Sequence, residues 1–188
     1  MIIKKAAALC RARKYACIMS SRGESGNLIN QYMGDGSAFY ELPEALTLTL
    51  GSLAAILDIS EKEREKWNLL DIPIPEGLDF GWITAKDVRI MPYPLHLLNG
   101  SDELIPLITT DGIYFIDAGY LAPLKDASEL EFYERRKPDG DLYIVAASGM
   151  MFCAAIMPVI DAGDYIKQKA HELGSACRKS IKGDAENG

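Results

Sequence analysis

A chain of 188 residues that is 48% apolar and 25% charged is long enough to close one full core, or two small lobes on a shared core, and its composition excludes wholesale disorder. Its formal net charge of −7 excludes a protein that coats nucleic acid or an anionic membrane with its whole surface, because both need a net basic footprint. The charge is uneven, however: Lys4, Lys5, Arg11, Arg13 and Lys14 stand in the first 14 residues without one acid, whereas residues 24–87 hold twelve acids against four bases.

In chain order, residues 2–12 are expected to be helical, with Ile2, Ile3, Ala6, Leu9 and Cys10 on one arc and Lys4, Arg11 and Lys14 on the opposite one, near the small Ala7 and Ala8. Residues 14–20 read as a strand and 21–27 as a turn-rich loop. Residues 28–42 divide at Gly34-Asp35-Gly36, a tight-turn sequence between two apolar runs, and so predict a hairpin. A brief strand at 46–50 and a helix over 51–58 follow. Ser60 with Glu63 forms a capping-box pair that predicts a charged helix through Trp67. Two prolines within residues 71–76 (DIPIPE) mark a linker.

Residues 87–98 form an extended run broken by Pro92 and Pro94, which suits an edge or irregular strand. From 113 the pattern is clearest: a strand at 113–116, a short helix over 118–125, a strand at 130–135 and a turn at Pro138-Asp139-Gly140. Residues 142–160 contain no charge, a length sufficient for a membrane span. Ser148-Gly149 at its middle and Pro158 near its end favour two strands instead. Asp161 or Asp164 starts a last helix through His171, followed by a polar tail.

The expected fold is therefore α+β, a mostly antiparallel sheet with short helices. Its divisions are an N-terminal lobe over 1–70, a linker at 71–79, a C-terminal β-α-β-β-β lobe over 80–160, and a helix with a flexible tail over 161–188; the alternative is that the lobes share one core.

The chain carries no G-x-S-x-G, no phosphate-cradling Gly-rich loop, no dinucleotide fingerprint and no H-E-x-x-H. His96 and His171 have no ligand pattern around them, and Cys10, Cys17, Cys153 and Cys177 lack zinc spacing or the density of a disulfide scaffold. Neither a metal nor a cofactor is expected, and the sequence leans away from an enzyme without deciding the matter. The basic start runs into only a short Ala-rich stretch, so no signal peptide is expected and a cytoplasmic location is. Lys4, Arg11 and Lys14 on one helix face are candidate phosphate contacts, the alternative being a solvated flank. Met150, Met151 and Met157 suit either an adaptable binding surface or core packing.

The run GIYFIDAGYLAPLKDASELEFYERRKPDGDLYIVAASGMMFCAAIMPV, residues 112–159, resembles the last β-α-β-β-β unit of bacterial DNA sliding clamps. The likeness rests on a helix beginning near Tyr120-Leu121 and on a final strand ending in Met157-Pro158. It covers about a quarter of the chain, and the basic N-terminal helix followed by strands fits a second such unit. The resemblance implies basic helices facing duplex DNA without reading its sequence, a role in DNA replication, and a partner-binding region at Tyr120, Leu121, Met157, Pro158 and Val159. The chain is shorter than a clamp subunit, so a ring requires a homo-oligomer. It also continues past Met157-Pro158, and Ile160 stands where the family is basic. Two other readings stand beside this one: a structural or protein-interaction subunit that oligomerises through its C-terminal hairpin without DNA, and a membrane-associated protein anchored at 142–160.

Overall fold

The computed structural model describes residues 1–99 and 102–159. Met1–Pro158 make one compact unit, and the helix expected from Asp161 lies outside the described residues.

The chain opens with helix α1 (Ile3–Arg13), which ends where Lys14 turns into the left-handed region with φ 50°. Its buried residues are Ala6, Ala7 and Cys10, so Ala7 faces inward rather than outward as the periodicity suggested. Small side chains are needed there, because the helix is squeezed between a sheet and a 3₁₀ helix at Ala118–Leu124, to which it is tied by a 2.7 Å bond from Ile2 N to Pro123 O. Three strands follow as a meander: β1 (Tyr15–Arg22), β2 (Leu28–Gly34) and β3 (Ala38–Glu41). The expected turn at Gly34-Asp35-Gly36 joins the last two.

Residues 46–49 are loop rather than strand, because Thr49 is committed to capping α2 (Leu50–Ile56) through a reciprocal box with Ser52, a cap worth about 1 kcal/mol. The charged segment Glu61–Lys66 is a 3₁₀ helix, with Ser60 Oγ 2.8 Å from Glu63. The stretch read as a linker begins inside β4 (Asn68–Pro73), which lies parallel to β1. Its single interior-edge proline sits at the strand's end, where no ladder donor is missed.

β5 (Val88–Pro92), β6 (Leu97–Asn99), β7 (Asp102–Ile108) and β8 (Ile113–Asp117) come next. After the 118–124 helix the chain forms β9 (Leu130–Arg136), β10 (Leu142–Ser148) and β11 (Met151–Ile156). Residues 113–156 thus run strand, helix, strand, strand, strand. Among the described residues eleven strands run in the order β4-β1-β2-β3-β11-β10-β9-β5-β7-β6, with β8 on β7. This is an α+β fold with a mostly antiparallel sheet. It contains a helix and three-strand meander twice, α1-β1-β2-β3 and the 118–124 helix with β9-β10-β11. The two copies meet where β3 pairs antiparallel with β11, Tyr40 opposite Ala154 and Ala38 opposite Ile156.

The centre of the sheet is buried on both sides. Alternate residues of β10 enter two different cores: Leu142, Ile144 and Ala146 join α1, α2 and the 118–124 helix, while Tyr143, Val145 and Ala147 join Phe80 and Ile83 on the opposite face. A strand covered on both faces reads as an unbroken apolar run, which explains the charge-free stretch 142–160. Its described part is two strands reversing at Gly149 (φ 59°), not a helical rod. Among the described residues no helix is long and apolar enough to cross a membrane.

Candidate functional site

Lys4 and Arg11 stand on the outer side of α1 and Lys14 just past its end, all exposed. Arg11, however, is already occupied. Its Nε donates to Leu57 O at 3.1 Å and its Nη2 to Ile56 O at 3.0 Å, with Asp58 3.4 Å away. It therefore satisfies carbonyls left open at the end of α2. Arg13 likewise reaches back, pairing with Asp35 at 3.1 Å and Ser37 Oγ at 2.6 Å. Lys4, Lys5 and Lys14 form no ion pair with another described residue.

The residues expected to receive a partner fall on two sides of the sheet. Tyr120 is buried and Leu121 half-buried against the helix-covered core. Met157 packs against the opposite core, and its amide donates to Ser37 O at 2.7 Å. Pro158 and Val159 are half-buried beyond it.

On that opposite face lies a cleft of about 840 Å³ that the sequence did not announce. Its floor is a cluster of rings: Tyr32 and Phe80 stand 4.6 Å apart edge to face, and Phe80 stacks on Phe152 at 5.1 Å. One wall is the segment Ile74–Trp82, another the first half of β2 and the loop after β3. Trp82 sits at the rim with 68% of its surface exposed.

The wall is held by Arg135, a nearly buried side chain on β9 that is 7% exposed. Its Nη1 donates to Asp79 O at 2.8 Å and Gly81 O at 3.1 Å, and its Nη2 to Trp82 O at 2.9 Å. Its Nε meets Asp87 at 2.6 Å. Tyr143 Oη adds an acceptor for Asp79 N at 2.9 Å. A guanidinium offers five donors in a fixed fork, so it can serve three carbonyls and a carboxylate together where lysine cannot.

The cleft is acidic. Glu41, Glu44, Glu76 and Asp79 line it, and among the described residues no lysine, arginine or histidine does. Asp79 is partly balanced by Arg135 at 3.7 Å, whereas Glu41, Glu44 and Glu76 pair with no described cation. Burial, and then the neighbouring Glu44, push the Glu41 carboxyl above its ordinary value.

Among the described residues no group of three or more His, Cys, Asp or Glu is placed to hold a metal ion. Compared with known proteins, the chain matches no family, no characterised protein and no solved structure.

Proposed function

We propose that the chain is a non-enzymatic, clamp-like protein that binds duplex DNA without reading its sequence and recruits a protein partner. The observation that carries this reading is the doubled helix and three-strand meander, joined edge to edge at β3 and β11 with α1 against the 118–124 helix. Lys4 and Lys5 on α1 and Lys14 just past its end add support, since they form no ion pair with a described residue and phosphate contacts require charge that is not spent within the protein. Few cations per chain imply weak binding that association into a homo-oligomer would multiply. The test is the affinity for a short duplex measured from low to high salt. A steep fall that flattens in a Lys4→Glu, Lys14→Glu variant supports the reading; a slope near zero in the native chain removes it.

A second reading, a structural or protein-interaction subunit with no DNA contact, is favoured by one observation. Met91 lies opposite Ile108, which lies opposite Ile113, across β5, β7 and β8, and all three are exposed. In-register apolar side chains on one face mark a surface that another protein covers. Sedimentation of the native chain and of Ile108→Lys, set beside the DNA titration, separates the two: association that the substitution abolishes, in a chain with no salt-dependent DNA affinity, supports this reading, and a strict monomer counts against both.

A further inference from the structure

We infer that the cleft beneath Trp82 is a docking site for an extended segment of a partner protein in which lysine or arginine alternates with large apolar side chains. The inference rests on the partner-recruiting half of the reading above and not on DNA contact. Three observations carry it. The floor is formed by the Tyr32, Phe80 and Phe152 rings, and the volume of the open cleft lies within the range of ligand sites. The rim is one-signed, with Glu41, Glu44 and Glu76 uncompensated by any described cation, so the occupant must supply positive charge. Those carboxylates come from two separate chain segments, which asks for more than one cation at a spacing that a peptide provides and a single small amine does not.

The third observation is pre-organisation. A tryptophan left 68% exposed is a poor surface residue, and here its backbone is fixed by Arg135 and the loop behind it by Tyr143. Binding then loses little entropy in ordering that wall. An exposed tryptophan on a backbone held in place beside aromatic rings is the kind of side chain that dominates protein-protein affinity. The acids around it set which partner is admitted and speed its approach.

The test uses the full chain as bait for a displayed library of random twelve-residue peptides, the recovered peptides being synthesised and their affinities measured. Recovered peptides are expected to combine Lys or Arg with Leu, Phe or Trp. Trp82→Ala should weaken them at least about tenfold, with Trp82→Phe recovering part of the loss. A Glu44→Gln, Glu76→Gln variant should weaken them several-fold at low salt and little at high salt. All three positions are exposed, so superimposable thermal melts are expected. Duplex DNA affinity on the same variants should not change, which keeps failure here distinct from failure of the DNA reading. Peptides without cation enrichment, no recovered peptide, or affinities indifferent to these variants overturn the inference. Self-association of the native chain that Trp82→Ala removes would assign the cleft to a second copy and overturn it as well.

Discussion

Tyr120 donates its hydroxyl to Asp35 Oδ2 at 3.2 Å across 85 positions of sequence, and that bond links the two helix-and-meander copies at their shared seam. Asp35, with a side chain only 2% exposed, also accepts from Ser37 N and Ala38 N at 3.0 and 2.9 Å and meets Arg13. Tyr40 donates to Tyr120 O at 2.8 Å. Burial, and after it the Asp35 charge, push the Tyr120 hydroxyl up to about 12, so it stays protonated and keeps donating.

Tyr120→Phe should therefore destabilise by about 0.5–1.5 kcal/mol, the net worth of one such bond. Asp35→Ala should cost about 3 kcal/mol or more, because it strands two turn amides and a buried hydroxyl. Urea unfolding of the single and double variants gives the coupling directly. Strict additivity would mean that the two copies are not tied through this pair.

Gly34 closes β2 with no room for a side chain. A Cβ there would run into the Ala38 carbonyl and stand 2.6 Å from Phe39 Cδ1. Gly34→Ala should lower stability by about 1–3 kcal/mol through overpacking, read as a drop in the denaturant midpoint at unchanged slope. A neutral result would show that the turn yields at small cost.

The Arg135 and Asp87 pair makes a pH prediction. The hydrogen bond from Arg135 holds the Asp87 carboxyl below its ordinary value, against the opposing pull of burial. The unfolded chain thus binds that proton more readily than the folded one. The stabilisation is complete above the ordinary aspartate value of about 3.9 and is lost as pH falls through the depressed folded value. Asp87→Asn should cost about 3 kcal/mol at pH 7, and its gap from the native chain should close at strongly acidic pH. A gap that stays constant down to pH 2 would refute this.

Burial pushes the Cys10 thiol up to about 12, with Asp35 adding to the rise, and the Cys17 thiol up to about 11, with Asp71 adding to it. Since the thiolate is the reactive species, iodoacetamide at pH 8 should leave both unmodified in the folded chain and modify both in denaturant. Peptide mapping after a short exposure decides it; rapid native labelling of Cys10 would contradict the packing of α1.

Local chemistry made much of this fold legible. Gly34-Asp35-Gly36 and Ser148-Gly149 are turns because small or positive-φ residues leave few alternatives, and the apolar runs around them became strands. What was missed depends on distant partners. β4 ends in a proline and has too little alternation to announce itself, and its place beside β1 is a parallel pairing across some fifty residues. β7 contains Pro106 and was not anticipated. Periodicity put Arg11 on the outer face of α1, but nothing local could reveal that the last carbonyls of α2 would arrive beside it. The cleft is the extreme case, assembled from segments near 30, 42, 78 and 152. Its one local trace was the run from Ile74 to Trp82, where two aromatics and two acids follow the prolines that made it read as a tether.

The seam between β3 and β11 has a consequence for synthesis on the ribosome. Ala38–Glu41 are made early, and their partner Met151–Ile156 emerges more than a hundred residues later. For that whole interval the nascent chain carries an open, apolar sheet margin with unpaired amides and carbonyls, a template for the wrong neighbour. Completion of the described sheet is thus a closing event at its centre, and truncation before residue 151 removes the strand that seals it.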